Sequence, residues 1–166
     1  MTTQARSYIQ MLSFGLLFVF IFMGKLMAQE DLTAAVHVGL VYPVSSNGKQ
    51  AANYTNRFSF HAISGLSKAE TGVAISGVAN MIKENAKGFQ MAGVTNLVGG
   101  HVAGVQVAGV ANVIKQQATG AQIAGVINTA RQAESVQIAG VSNITAGGAK
   151  GLQLSLHDAL PIYRVF

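Results

Sequence analysis

The sequence predicts an all-β protein, and specifically a β-solenoid of about 16-residue coils with an N-terminal β cap. Three observations favour this fold. Similar units recur 16 residues apart, and Asn and Gln return at fixed places within each unit. Half of the residues are hydrophobic, with 19 Gly and no Trp. Most of the apolar residues are Val, Ile and Ala, which suit closely stacked backbone layers better than a thick aromatic core.

The repeat unit reads Gly-h-Gln-h-Ala-Gly-Val-x-Asn-h-h, where h is an apolar residue, and a variable stretch of about five residues follows. The units begin at Gly72, Gly88, Gly104, Gly120, Ser135 and Gly151. Ser135 comes one residue early, and the missing residue falls in the variable stretch, which marks that stretch as a surface turn.

Each unit is expected to contain β-strands. In GVQVAGV (104–110) apolar residues alternate with Gln and Ala, which is the period of a strand. The second Gly of the unit is expected to bend the chain or to admit a neighbouring backbone. The stretch NMIKENAK (80–87) could be helical by itself. However, NLVGGHVA (96–103) takes the same place in the next unit, and paired Gly disfavours a helix, so we expect turns there.

The recurring amides decide between two β architectures. In a solenoid each unit is one coil, coils stack about 4.8 Å apart, and equivalent amides hydrogen-bond to one another. In the alternative, an antiparallel β-meander or barrel, neighbouring units run in opposite directions and like residues do not meet. We favour the solenoid. The predicted structural ladder consists of Asn80, Asn96, Asn112, Asn128, Asn143, Gln90, Gln106, Gln122 and Gln137.

The N-terminal 28 residues resemble a signal peptide. Arg6 precedes an apolar run at 11–23, which is short for a membrane span, and a small residue precedes the expected cut before Gln29. The alternative is an uncleaved anchor, which Lys25 close to the cut would permit. Either reading places the protein outside the cytoplasm, in the periplasm, at the cell surface or in the medium.

The remaining chain divides into three predicted segments. Residues 29–71 contain two strand-like runs, at 35–44 and 57–64, and are expected to cap the open N-terminal edge of the stack. Residues 72–153 are the repeats. Residues 154–166 are expected to be a non-native tail, because the codons for LSLHDALPI (154–162) resemble a translated sequencing adapter. The natural protein is then expected to continue past Gln153.

The sequence gives little support for catalysis or cofactor binding. The chain has no Cys, and residues 29–153 contain three His, at His37, His61 and His101. His37 and His61 could face each other, but a metal site would still lack a third ligand. Calcium sites require clustered carboxylates, and the coils contain no Asp. We therefore expect a protein that is not an enzyme and has no cofactor or metal.

Charge and aromatic content bear on the partners. Between residues 29 and 153, eight Lys and Arg and five carboxylates are spread along the sequence without a cluster, so nucleic-acid binding is not expected. Phe89 is the one aromatic residue between 72 and 153, whereas membrane barrels have aromatic girdles. Membrane contact is thus not favoured. A protein or a surface polymer is the expected kind of partner, and its identity is unknown.

The units GFQMAGVTN, GVQVAGVAN, GAQIAGVIN and VQIAGVSN resemble a family of bacterial secreted or surface repeat proteins. This family is common in Bacteroidetes and is related to surface repeats named in Leptospira. The segment VGLVYPVSSNG…YTNRFSFHAISG resembles the start of such proteins. The resemblance implies export and repetition, and it implies no reaction. We expect an exported cell-surface or periplasmic scaffold; the alternative is an outer-membrane protein of the β-barrel type.

Overall fold

The computed structural model describes residues 32–156, and these residues form β-strands joined by tight turns. The strands are β1 (Leu32–Val41), β2 (Val44–Ser45), β3 (Tyr54–His61), β4 (Ser64–Ser67), β5 (Ala69–Ser76), β6 (Ala79–Ile82), β7 (Ala86–Ala92), β8 (Thr95–Val98), β9 (Val102–Ala108), β10 (Ala111–Ala124), β11 (Ile127–Ala139), β12 (Ser142–Thr145), β13 (Ala149–Lys150) and β14 (Gln153–Ser155). A short 3₁₀-helix, Gly48–Asn53, precedes β3.

The strands stack in parallel and in register, one repeat above the next. Gly88 lies opposite Gly104 between β7 and β9, and Gly104 lies opposite Gly120 between β9 and β10. Asn80 lies opposite Asn96 between β6 and β8. The fold is therefore a β-solenoid of roughly six turns, as the sequence predicts. The antiparallel meander or barrel is wrong for these residues, because equivalent positions face each other on strands that run in the same direction.

Each coil has three sides, which follow from where the chain turns. In the coil that contains β9, the inward–outward alternation breaks at Gly104, whose φ of 149° turns the chain between the first and second sides. The Gly109–Val110 pair turns it again before the third side, which is the start of β10. The variable stretch, here at 115–117, returns the chain to the first side. We call these turns the glycine corner, the valine corner and the variable corner.

The interior of the coil is narrow and partly polar. Its apolar cluster combines branched side chains, such as Ile82, Val98 and Ile114, with alanines such as Ala86 and Ala118. The largest fully buried side chains include one His together with the Gln and Asn of the repeats. Small residues let the three sides approach closely, and the amides then fill the remaining width and must find hydrogen-bond partners.

The N-terminal segment already follows the coil register. β1 pairs in parallel with β3, and β3 pairs in parallel with β5. The short β2 folds back antiparallel on the outer edge of β1. The cap role of residues 29–71 and the division at 72 stay predictions. The predicted signal peptide and the tail beyond residue 156 lie outside the described residues, and Leu154 and Ser155 belong to β14.

Replacing Gly109 at the valine corner with Ala should destabilise the solenoid. A Cβ atom there would lie 2.0 Å from the carbonyl oxygen of Gly93 in the previous coil, so the backbone would have to move. We expect a loss of about 1–3 kcal/mol in the free energy of unfolding, measured by urea titration. The matched control is Gly48→Ala, where nothing lies within 4 Å and the left-handed φ of 54° costs about 1 kcal/mol. Equal losses in both variants would contradict the close stacking of the corners.

Candidate functional site

The repeat asparagines form a continuous hydrogen-bonded ladder through the interior. Each side-chain Nδ2 donates to the Oδ1 of the next Asn along the stack. The distances are 2.8 Å from Asn80 to Asn96, 2.9 Å from Asn96 to Asn112, 2.9 Å from Asn112 to Asn128 and 2.8 Å from Asn128 to Asn143. The amides therefore all point the same way, with their donors towards the C-terminal coils.

A second hydrogen bond fixes the direction of this ladder. The Nδ2 of Asn96 also donates to the backbone oxygen of Val107 at 2.9 Å, and the Nδ2 of Asn112 donates to that of Ile123 at 2.9 Å. Each amide thus uses both N–H groups, one on a side chain and one on the backbone of the following coil. A reversed amide would place its oxygen against that carbonyl, so the chain permits only this orientation.

The ladder begins at Asn80, whose side-chain oxygen accepts from a serine and not from another Asn. The Oδ1 of Asn80 accepts from the Oγ of Ser76 at 2.6 Å. One coil earlier the equivalent residue is Gly65, which lies opposite Asn80. The imidazole of His61 lies over Gly65, because a Cβ atom there would meet the His61 Nδ1 at 2.2 Å. The amide column therefore gives way to a histidine at the N-terminal end of the stack.

The glutamines are also in register, but they do not form a complete ladder. Gln137 donates to Gln122 at 2.5 Å, and Gln153 donates to Gln137 at 2.6 Å. In the described residues neither amide atom of Gln106 has a hydrogen-bond partner, although the residue is fully buried. These bonds run opposite to those of the asparagines. Unlike the asparagines, Gln137 and Gln153 donate to no backbone carbonyl of a neighbouring coil within residues 32–156, so the longer glutamine side chain is less firmly oriented.

A second buried polar cluster lies at the N-terminal end, and nothing in the repeat pattern indicates most of its members. The Nδ2 of Asn56 lies 3.2 Å from the Nδ1 of His37 and donates to the Oε1 of Glu70 at 3.1 Å. Ser59 donates to the same Glu70 oxygen at 2.8 Å. His37 and His61 do face each other, with ring centroids 4.4 Å apart and planes at 78°.

The contacts of this cluster fix where the proton of His37 sits. Since an amide nitrogen only donates, the Nδ1 of His37 must accept from Asn56, and the proton of His37 is on Nε2. That Nε2 lies 3.0 Å from the Oγ of Ser45 and 3.4 Å from the Nε2 of His61, and its one N–H can donate to only one of them. The Nδ1 of His61 is buried without a hydrogen-bond partner among the described residues.

Burial shifts the ionisation of these three groups in different directions. Burial lowers the pKa of His37, and burial together with the neighbouring His37 lowers the pKa of His61 from 6.5 to about 4. Burial raises the pKa of Glu70 against the opposing hydrogen bonds from Ser59 and Asn56. Glu70 takes the place that Ala86 occupies in the next coil, and nothing in the repeat pattern indicates a buried carboxyl there.

The other candidate groups are not brought together. His101 is exposed at the variable corner, and its backbone N–H donates to the Oδ1 of Asn85 at 2.8 Å. Within residues 32–156, no three His, Cys, Asp or Glu side chains lie close enough to hold a metal ion. The same part of the chain contains no helix of the length and hydropathy needed to cross a membrane.

The outer surface is unusually apolar on two of the three sides. On the second side, two outward columns run in register along the stack: Phe58, Val73, Phe89, Val105, Ala121 and Val136, and Phe60, Ile75, Met91, Val107, Ile123 and Ile138. The valine corner adds Val78, Val94, Val110, Val126 and Val141, each 40 to 46 % exposed. The signal was present in the sequence, because a strand that turns Gln inward must turn the intervening Val outward.

The cations are not spread over the surface as the sequence order suggested. Lys83, Lys115 and Arg131 follow aligned residues of the third side and therefore lie together along the variable corner. Arg57 and Lys87 lie along the glycine corner, where Arg57 is aligned with Gly72. Positions 16 or 32 residues apart become neighbours along the stack, which a linear reading of charge does not reveal.

The chain was compared with known proteins in three ways. No family model matched it, and neither the curated proteins nor the solved structures contained a match.

Removing one amide from the asparagine ladder should lower the free energy of unfolding more than removing one amide from the glutamine column. In Asn112→Leu, Asn96 loses its acceptor and Asn128 loses its donor, so we expect a loss of about 3 kcal/mol in the free energy of unfolding. In Gln106→Met, no hydrogen bond is broken, and we expect a change within about 1 kcal/mol. Urea unfolding of both variants tests this contrast. A greater loss for Gln106→Met would show that the asparagine ladder is not the main polar constraint.

The His61 site should make stability depend on pH. The folded pKa of about 4 lies below the unfolded value of 6.5, so the unfolded chain binds the proton more readily. Neutral His61 therefore contributes fully to the free energy of unfolding above pH 6.5, and this contribution is lost as the pH falls towards 4. His61→Gln should reduce this loss, as measured by urea unfolding between these two pH values. The control is His101→Gln at an exposed corner, which should keep the slope of the unmodified protein. An unchanged slope in His61→Gln would contradict this assignment.

Proposed function

We propose that this chain is an exported, non-enzymatic repeat protein that acts as a structural or interaction scaffold at the cell surface or in the periplasm. The observation that supports a scaffold most directly is the register of the coils. Equivalent side chains form columns in register over roughly six turns, so the second side of the solenoid presents apolar side chains from coil to coil. Extended uniform faces are what repeat proteins use for binding.

The polar groups that are brought together support the same proposal. The asparagine ladder and the His37–Asn56–Glu70 cluster are both buried. Within each of them the side chains hydrogen-bond to their own members. A catalytic acid or base must reach a reacting atom of its substrate. These groups instead stabilise the stacking of coils, which is the task of a scaffold.

Export and family membership are part of this proposal. The apolar run at 11–23 after Arg6, and the small residue before Gln29, support secretion through a cleaved signal peptide. The repeated GxQhAGVxN units support membership in the bacterial family of secreted or surface repeat proteins.

Export can be tested by fractionating a Gram-negative host that expresses the full chain. We expect the protein outside the cytoplasm, with Gln29 at its N-terminus by sequencing. Leu17→Arg places a charge in the apolar run and should retain the unprocessed chain in the cytoplasm. Gln4→Arg, which adds a charge before the run, is the control and should be exported. An unmodified chain that stays cytoplasmic with its first residues intact would contradict the proposal.

A further inference from the structure

The solenoid has the cross-section of an amphipathic wedge. Two of its sides, the second and the third, turn apolar columns outward, and they meet at the valine corner. The outward residues of the third side include Met81, Leu97 and Val113, which are aligned along the stack. The first side carries polar residues such as Lys87 and Thr119. A soluble protein rarely exposes a continuous apolar surface of more than a few hundred Å².

The two corners beside the apolar sides are basic. The variable corner has the exposed Lys83, Lys115 and Arg131, and the glycine corner has the exposed Arg57 and Lys87. In residues 32–156 the exposed carboxylates are Glu84, which follows Lys83 at the variable corner, and Glu134, which pairs with Lys150 at 3.4 Å; Glu70 is buried at 2 % exposure. The surface therefore combines an apolar edge with positive charge on both of its shoulders.

A depression on the third side joins these two features. It has a volume of about 350 Å³ and is lined by Leu66, Met81 and Leu97 together with Lys83 and Lys115. Gly99 lies between the two lysines in the column, so no side chain fills the space between them. An apolar hollow with two cations at its rim matches an acyl chain below an anionic headgroup.

We propose that the solenoid binds the surface of a bilayer that contains anionic phospholipid, with the valine corner deepest and the two basic corners at the level of the phosphates. This names a partner for the scaffold and so deepens the proposed function. Interfacial segments of this kind bury their apolar face about 5–10 Å into the headgroup boundary.

The backbone also favours this orientation. Along the sides of the stack, backbone N–H and C=O groups bond to the coils above and below, so these sides can enter an apolar medium. Unpaired backbone groups lie at the ends of a stack, which must stay in water. The solenoid axis then lies in the plane of the membrane.

A second copy of the chain fits this surface less well. Packing two such wedges side against side would bring their basic shoulders towards each other, and like charges at an interface oppose association. An anionic leaflet instead neutralises both shoulders at once.

Vesicle co-sedimentation of the purified full chain tests the proposal. Vesicles of phosphatidylcholine with about one third phosphatidylglycerol should bind the protein, and added salt should weaken binding. Phosphatidylcholine alone should bind it less. Every variant keeps residues 1–31 unchanged, so differences among variants report on the solenoid and not on the apolar N-terminal run.

Two matched double variants test the valine corner. Val94→Gln with Val110→Gln should weaken binding about tenfold or more, because two apolar side chains lose their place in the lipid. Ala103→Gln with Thr119→Gln changes exposed residues of the first side, which faces away from the bilayer, at similar levels of the stack and should bind like the unmodified chain. Circular dichroism and thermal unfolding check that both variants fold. Equal binding by the two folded variants would overturn the proposal.

Since the chain has no Cys, single labels provide a second readout that removes no apolar patch. An environment-sensitive dye on Val110→Cys should shift its emission to the blue on anionic vesicles, and the same dye on Thr119→Cys should not. A Val110 label that shifts because of concentration-dependent dimers, and not because of vesicles, would assign the surface to a second copy and overturn the proposal.

The basic corner has its own prediction. Lys83→Gln, Lys115→Gln and Arg131→Gln should each weaken binding to anionic vesicles about fivefold and leave binding to phosphatidylcholine unchanged. Equal losses on both vesicle types would contradict the role of charge. Because these assays use purified protein, lipid binding can fail while export holds, and export can fail while lipid binding holds.

Discussion

A buried primary amide needs partners for two N–H donors and one carbonyl oxygen, and the interior of this solenoid supplies them only when asparagines lie one coil apart. A shift of one residue would turn each Asn towards solvent and bring its neighbour inward, for example Thr95 or Leu97 in place of Asn96. The ladder thus specifies the register, and the register in turn sets the columns on the outside. Hydrophobic burial alone would specify it less, because the apolar interior positions are interchangeable among Val, Ile and Ala.

The sequence predicts the coil because a residue type that recurs exactly at one position reports on a contact with its own kind. This reasoning succeeds for Asn112, whose neighbours are identical, and less well for Gln106, whose register is as predicted although its amide is not bonded. It fails for Glu70 and Asn56, because these residues occur once, so no repetition indicates that Glu70 bonds to β3 or that Asn56 contacts β1. A repeat in the sequence reveals contacts between equivalent residues, and it does not reveal a contact between residues that each occur once.

The distribution of polarity is inverted relative to most soluble domains. Amides and neutral histidines occupy the interior, and many valines lie outside. Physical chemistry permits this arrangement because the interior asparagines bond to one another, which offsets the cost of burying them. It leaves the outside free to be apolar wherever a partner requires it. The basic corners arise because cations one or two repeats apart in sequence come together along the stack, as Lys115 and Arg131 do on neighbouring coils.

The one irregular repeat has a wider consequence. Asn128 and Asn143 are 15 residues apart, yet their bond of 2.8 Å equals that between Asn80 and Asn96, which are 16 apart. The variable corner absorbs the deletion before it reaches the interior. Genes of this design can therefore gain or lose codons at that corner, and can duplicate whole units, without repair elsewhere. Differences in overall size among relatives would be neutral for folding, and selection could adjust the length of the rod independently of its cross-section.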